Sequence, residues 1–421
     1  MDGVATLAFR RSPRTWDALA LTVVLLSLGS IAGCTPTGDA NSPRPSGTVS
    51  RAPARVSEGI ASRPPTAGDV SGPPASGSIR IQAIDQPGLF DGPDTIILRD
   101  IVTAGAGFTV LGDVGRGITP RIDAWLSPDG QTWERDATVT GLDGVTVNDV
   151  EETASGRLVA VGWKQAAALT WSSDDGGRTW QEHVLPGDPH GQAYAATSGS
   201  AGTLMLVGGP IGRGPEQATK LWFSPDGASW SAVAMPDDVF GAIEIRGITA
   251  TTNGFVAVGG RAPANPIRPG DQTEYRAAAW LSVDGRTWSA ATVSDRPMML
   301  GAVAGSEGLI GFGWGEPITR PQTWFSEIGA SWIANPLVSD KSPAVVAHDG
   351  LMSWLDSTVI RSGLAKLEWK TSRNGIDWVS LGSVEESRAV GIGGFRAGDP
   401  GILQLGGSID RPAMWLFSIP G

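Results

Sequence analysis

Trp280-Leu281-Ser282-Val283-Asp284-Gly285-Arg286-Thr287-Trp288 decides how this chain is read: two strand ends joined by a tight turn within nine residues. Asp284-Gly285 is a strong hairpin signal, because Gly285 reaches positive φ without a Cβ penalty and Asp284 can accept backbone N–H bonds inside the turn. Ser282 and Thr287 offer weaker hydroxyl bonds. The flanking Trp rings supply apolar surface for packing on a neighbouring hairpin.

The stretch recurs. Trp125, Trp171, Trp222, Trp280, Trp324, Trp369 and Trp415 lie 44 to 58 residues apart, each followed within three residues by serine. Ser127 to Trp133 repeats the turn around Asp129, Ser173 to Trp180 around Asp175, and Ser224 to Trp230 around Asp226. Ser326 to Trp332 and Ser372 to Trp378 are degenerate copies, and the seventh stops at Ser418. The chain has 17 tryptophans but only two tyrosines, three histidines and one cysteine, so Trp has a repeated structural use.

A second hairpin precedes each turn. Ile101–Ala104 with Phe108–Gly112, and Ile248–Ala250 with Phe255–Gly259, show both of its strands. Leu158–Gly162, Leu204–Gly208 and Ile402–Gly406 repeat the second strand. Four short strands per repeat, Gly-rich turns and a period of about 45 residues predict an all-β chain, a seven-bladed β-propeller of four-stranded antiparallel blades with little helix. Ile79–Ile84 has no hairpin before it, and the last repeat lacks a fourth strand. The N-terminal strand is therefore expected to complete the last blade and close the ring, covering strand edges that invite aggregation.

The turn copies resemble the Asp-box, or bacterial neuraminidase repeat, Ser-x-Asp-x-Gly-x-Thr-Trp. The copy at Ser173 has the full spacing, and the others are one residue shorter between Asp and Thr. The resemblance implies a structural role for Asp129, Asp175, Asp226 and Asp284. It also brings two functional readings. Sialidases of that family use three arginines on the substrate carboxylate, a Glu-assisted Tyr nucleophile and an Asp acid/base. Tyr194 and Tyr275, the only tyrosines here, are not in the late repeats where the family places its nucleophile. The family's Phe/Tyr-Arg-Ile-Pro motif is echoed at Ile79-Arg80-Ile81-Gln82 without its aromatic or its proline. Other Asp-box propellers, in sortilin-type receptors and photosystem assembly factors, bind proteins and peptides. The favoured expectation is a binding or scaffold propeller for a glycan, peptide or protein, with no catalytic residue assigned. The alternative is a sialidase-like glycoside hydrolase acting on anionic glycans.

In a four-stranded meander the first and third turns share a face. The loops between second and third strands lie on the other face, which is expected to carry the ligand. They hold Arg116, Arg121, Arg213, Arg268, Arg276, Arg320, Arg361 and Arg411 as candidate ligand-binding residues. Convergent guanidinium groups suit a carboxylate, sulfate or phosphate, whereas scattered ones are a solvated rim of mixed charge. The longest of these loops, Gly260 to Ala278, contains Tyr275 and is the best single place to look.

The N-terminus supplies an address. Arg10, Arg11 and Arg14 precede an apolar run from Ala18 to Ile31, too short for a comfortable span and readable as a secretory signal. Ile31-Ala32-Gly33-Cys34 resembles the lipobox of bacterial lipoproteins, whose cysteine is diacylated and becomes the mature N-terminus. The expected organisation is a signal peptide over 1–34, a Pro/Ser/Gly-rich tether over 35–77 and the propeller over 78–421. The protein is expected on the extracytoplasmic side of the cell membrane, anchored by Cys34 lipid and monomeric. A net charge of −11 argues against a nucleic-acid partner. His183, His190 and His348 have no ligand spacing, and there is no Gly-rich phosphate loop or nucleophile elbow, so neither metal nor cofactor is expected.

Overall fold

A computed structural model describes residues 80–418, apart from 93, 116–119, 188–190, 209–218, 242, 263–274, 295–296, 305–306, 315–320, 336–343, 349–350, 362–363, 373–378, 387–391, 399–400 and 409–410. Cys34, the tether, Arg116, Arg213, Arg268, Arg320 and most of the sixth turn copy lie outside the described residues.

β1 (Arg80–Ala83) precedes a first antiparallel meander of β2 (Ile96–Ala104), β3 (Gly107–Val114), β4 (Arg121–Ser127) and β5 (Glu134–Asp136). The second comprises β6 (Thr146–Glu152), β7 (Leu158–Lys164), β8 (Ala167–Ser173) and β9 (Gln181–Val184). The third comprises β10 (Gln192–Gly199), β11 (Gly202–Gly208), β12 (Lys220–Ser224) and β13 (Ser231–Ala232). The fourth comprises β14 (Ile243–Thr251), β15 (Gly254–Arg261), β16 (Arg276–Ser282) and β17 (Ser289–Ala290). β18 (Thr292–Val293) comes before the fifth, β19 (Met299–Ala304), β20 (Leu309–Trp314), β21 (Pro321–Ser326) and β22 (Ser331–Ala334). The sixth comprises β23 (Ala344–His348), β24 (Leu351–Arg361), β25 (Leu364–Ser372) and β26 (Val379–Glu386). The last comprises β27 (Ile392–Gly398), β28 (Gly401–Ser408) and β29 (Arg411–Ser418), with β1 antiparallel to β29 so that Arg80 faces Ser418 and Ala83 faces Trp415. No helix occurs among the described residues.

Second strands such as Val159-Ala160-Val161 are buried on both faces, so their apolar runs do not alternate with polar residues. Neighbouring sheets share cores. Leu111 and Ile122 of the first pack with Leu158 and Trp171 of the second. Leu403, Leu405 and Met414 of the last pack with Ile101, Val110 and Trp125 of the first. The first strands touch in succession, β2 with β6, β6 with β10, β10 with β14 and β14 with β19, and β27 touches β2. This is packing of the β-propeller kind.

First strands are too far from one another for a backbone ladder, and side chains bridge them instead. Asp100 Oδ2 accepts the Val150 N–H at 2.9 Å, Asp149 Oδ2 the Ala196 N–H at 2.8 Å, and Thr197 Oγ1 the Ala250 N–H at 2.9 Å. Inner-edge donors are thereby satisfied across the gap, and the Val150 N–H is shared with Asp149 Oδ1 of its own strand at 2.8 Å.

The fifth sheet departs from the four-strand expectation. β18 adds to its outer edge, parallel to β22, with Thr292 opposite Ser331 and Val293 opposite Trp332. After leaving the fourth sheet the chain stays extended along the exposed edge of its neighbour and pairs with it. The same place elsewhere carries smaller versions. Thr140 bridges Thr179, and its carbonyl accepts the Trp180 N–H at 3.0 Å. Gln86 imitates a backbone pair with its side-chain amide, donating to Trp133 O at 2.6 Å and accepting the Trp133 N–H at 3.0 Å.

In the turns between third and fourth strands, the carboxylate is consumed locally. Asp284 Oδ1 accepts the N–H groups of Arg286 at 2.8 Å and Thr287 at 2.7 Å, while Oδ2 accepts the Thr287 hydroxyl at 3.1 Å. Asp129, Asp175 and Asp226 repeat this set. Gly285, at φ 72°, also lies where an added Cβ would come within 2.4 Å of the Phe223 ring of the preceding sheet, so the turn needs glycine twice over. In the fifth copy Ile328 replaces the aspartate, and the turn keeps the bonds from Gly329 N–H to Ser326 Oγ and from Trp332 Nε1–H to Gly329 O.

The N–H groups of Thr287 and then Arg286 hold Asp284 down to about 2, against an ordinary 3.8. Burial works against Asp226, yet the Ser229 and Ala228 N–H groups keep it well below the ordinary range. A carboxylate with a depressed folded pKa adds stability that is complete above its unfolded pKa and disappears as pH falls through the folded one. Between about pH 4 and pH 2 the urea midpoint should therefore fall steeply, and the Asp226→Asn/Asp284→Asn double variant should show a shallower slope there. Parallel slopes for the two proteins would show that these carboxylates do not set acid stability.

Candidate functional site

The end of the sheets opposite the Asp turns is shaped by one repeated irregularity. β2, β6, β10, β14 and β19 each contain a β-bulge near the N-terminal end, placing Arg99, Asn148, Tyr194, Arg246 and Leu300 as the extra residues. A bulge re-aims a side chain and bends its strand. Each bulge is seated against a glycine near the end of the second strand. A Cβ at Gly162 would lie 1.9 Å from Thr146 O, and one at Gly259 2.0 Å from Glu244 O.

In the first sheet Arg99 is hydrogen-bonded through Nε to Asp113 Oδ2 at 2.8 Å and ion-paired with it through Nη2. Burial pushes the Asp113 carboxyl up, and Arg99 opposes that shift. Neighbouring positions on a strand face opposite sides, so Asp123, on β4 next to the partner of Asp113, serves the other face. There it is fully buried between two arginines, Arg121 Nε at 2.5 Å and Arg135 Nε at 2.9 Å.

In the third and fourth sheets the bulges assemble a second cluster. Arg246 is ion-paired with Glu244 two residues before it. Glu244 stands opposite Gly260, where an added Cβ would lie 3.0 Å from Tyr275 Cβ. Tyr194 occupies the room left by Gly208, whose added Cβ would be 2.9 Å from the ring. Burial pushes Tyr194 up; Arg246 opposes this and Glu244 adds to it. Burial and then Glu244 push Tyr275 up, with Arg246 opposing. Both phenols therefore remain protonated donors at neutral pH. Burial also raises Glu244 despite Arg246. Donors, one carboxylate acceptor and two aromatic rings thus meet at one edge, the chemistry of a polar binding site with apolar walls.

The arginines expected at this end are dispersed along it. Arg121 opens β4 opposite Val114 and is held by Asp123. Arg276 opens β16 opposite Arg261, both exposed, and Arg261 Nη2 donates to Val239 O at 3.1 Å. Arg361 ends β24 and Arg411 opens β29. Sequence reasoning missed Arg99, Glu244 and Arg246. The glycine near the end of each second strand was the signal, since it marks the partner residue beside which the bulge sits. At the same end, the tight turn Gln165-Ala166 holds two non-glycine residues at φ 52° and 68°, steadied by the Gly191 N–H on Ala166 O at 3.0 Å.

Neither a protein-family model nor a curated protein matches the chain. Solved structures similar to it include YCF48 from Cyanidioschyzon merolae, at 14% identity and TM-score 0.44 over 80% of this chain and 98% of that one. A Trypanosoma rangeli sialidase in complex with sialic acid is similar at 15% identity and TM-score 0.40, over 78% of this chain and 54% of that one. The phage phi92 endosialidase is similar at 10% identity and TM-score 0.44, over 82% of this chain and 70% of that one.

Proposed function

We propose that the seven sheets are the blades of a closed propeller, completed by β1, that works as a lipid-anchored extracytoplasmic binding or scaffold protein. Its ligand, a glycan, peptide or protein, is met at the end opposite the Asp turns. The observation that carries this reading is the convergence of Tyr194, Glu244, Arg246 and Tyr275 at that end, while the turn carboxylates at the other end are occupied by their own backbones. Cys34, the single cysteine, supplies the anchor, and the segment over 35–77 the reach.

A sialidase-like glycoside hydrolase is the second reading, favoured by the closeness of Glu244 to both tyrosines. Burial works against it by holding both phenols protonated. One experiment separates the two. The purified protein is screened for binding on glycan and peptide arrays and for turnover of chromogenic sialosides, alongside Tyr194→Phe and Glu244→Gln. Binding reduced roughly tenfold in the variants, without turnover, is the expected result. Turnover that disappears in Glu244→Gln would overturn the binding reading. In cells, Cys34→Ala should shift the protein from the membrane to the soluble or unprocessed fraction.

A further inference from the structure

We infer that the Asp-turn end of the fourth and fifth sheets is a membrane-contact surface, with Val283 and Ile328 entering the lipid interface. The inference rests on the lipid-anchored reading above and goes beyond it by assigning one face to the bilayer.

The route of the chain into the fold comes first. Arg80 faces Ser418. Ser418 ends its third strand as Ser127, Ser173, Ser224, Ser282 and Ser326 end theirs, each at the mouth of an Asp turn or of its degenerate copy. β1 therefore begins at the Asp-turn end, and a chain moored at Cys34 joins the fold on that side. The Pro/Ser/Gly-rich composition of residues 35–79 gives that span a reach of roughly 40 Å. A face held so close to a bilayer meets it at a high effective concentration, so a weak contact is enough.

The tips of the turns supply the contact. Val283 is 81% exposed and Ile328 69%. Pro128 and Pro225 are exposed at the place that Val283 holds, but proline presets a turn, whereas Val and Ile bring no turn geometry. The two stand on neighbouring turns. A Cβ at Gly329, next to Ile328, would lie 2.6 Å from Leu281 Cδ2, two residues before Val283. Ile328 also takes the place of the turn aspartate, so this tip is apolar where the other copies are charged. Aliphatic side chains favour the interface in proportion to the apolar area it covers.

The polar groups around these tips suit a shallow entry. The Arg286 and Thr287 N–H groups are bonded to Asp284, and the Gly329 N–H to Ser326 Oγ, so lipid approach strips water from fewer open donors. Arg286 is exposed, its guanidinium over the Phe223 ring at 4.3 Å, and its long side chain can lean toward a headgroup phosphate. Asp284, Glu307 and Glu327 are exposed in turns of the same two sheets, so the surface suits zwitterionic rather than anionic headgroups.

The test couples the full chain through Cys34, its single thiol, to a maleimide-headgroup lipid in phosphatidylcholine vesicles and follows amide exchange by mass spectrometry. Exchange over Ser282–Trp288 and Ser326–Trp332 should slow about threefold or more relative to the Cys34-blocked chain without vesicles. Lys164–Ala167, at the opposite end, should be unchanged. The Val283→Asp/Ile328→Asp double variant should lose the slowing at an unchanged thermal midpoint, since both side chains lie at the surface. Replacing about a third of the phosphatidylcholine by phosphatidylglycerol should weaken it. Slowing at Lys164–Ala167 instead, equal exchange with and without vesicles, slowing that survives the double variant, or slowing seen only with phosphatidylglycerol overturns the assignment. So does slowing without vesicles that grows with protein concentration, which would give the patch to a second copy of the chain. Chemical coupling makes the outcome independent of acylation in cells, so a failure of the anchor is read separately, from the fractionation of Cys34→Ala.

Discussion

The full chain with Arg80–Ala83 replaced by Gly-Ser-Gly-Ser should lose roughly 4 kcal/mol or more of stability and aggregate during heating. The replaced segment makes four cross-strand pairs with β29, and the next residue, Ile84, donates its N–H to Met414 O at 2.9 Å. Each backbone bond contributes only about 1 kcal/mol net, so the local loss alone is of that size. The larger effect is indirect. β29 then presents Trp415-Leu416-Phe417 on an open edge, an invitation to pair with a second molecule. Leu403, Leu405, Met414 and Leu416, which pack against the first sheet, would also lose the strand that holds their sheet in place. Scanning calorimetry with light scattering reads both effects. A midpoint and scattering trace identical to the unmodified chain would remove the support for β1 as the closing strand.

Trp280→Ala should cost about 3–5 kcal/mol, the largest loss expected from a single substitution in the described core. The ring is fully buried, stacks on Phe240 at 5.4 Å between centroids, and donates its Nε1–H to Val239 O at 3.2 Å. Removing it leaves a cavity between the third and fourth sheets and takes one of two donors from the Val239 carbonyl, which keeps Arg261 Nη2 at 3.1 Å. Trp171 is an internal control. It is equally buried, but its Nε1 has no partner, so Trp171→Ala should lose the packing without the hydrogen bond and cost about 1 kcal/mol less. Urea unfolding with unchanged m-values measures the difference. Equal losses at the two positions would show that the Val239 bond adds nothing net.

What the sequence made legible was whatever repeats with a fixed residue type. The turns announce themselves because Asp and Gly each satisfy a geometric demand that few other residues meet, and the Trp positions because large rings such as Trp125, Trp171, Trp222, Trp280 and Trp324 fill the cores between sheets. β18 escaped notice because two residues, Thr292 and Val293, are too few to show a period, and their pairing partner lies beyond three intervening strands. Among the site residues, the bulges recur in position while their residue types change from Arg to Asn, Tyr, Arg and Leu. No pattern of type could reveal them. The glycines facing them were visible, but read as strand ends.

The arginines illustrate a different gap. Arg121 stood out in the sequence as a cation on the ligand side, yet Asp123 two positions along the same strand shares its face and holds it. Such an i, i+2 pair on a strand is legible from residue order alone. Tyr194 and Tyr275 were weighed by their place along the chain, where they are far apart, and their shared ion pair belongs to the folding of successive sheets.

The pairing of β1 with β29 also sets how the molecule takes a load. If the segment before Arg80 is moored and a partner grips the far side, tension enters the fold at Arg80, the residue paired with Ser418. Tension between Arg80 and a partner at the opposite end runs along the strands, so the four pairs of this short strand bear it together, in shear, before any longer ladder is stressed. The strand that completes the last sheet is therefore also the molecule's mechanical fuse.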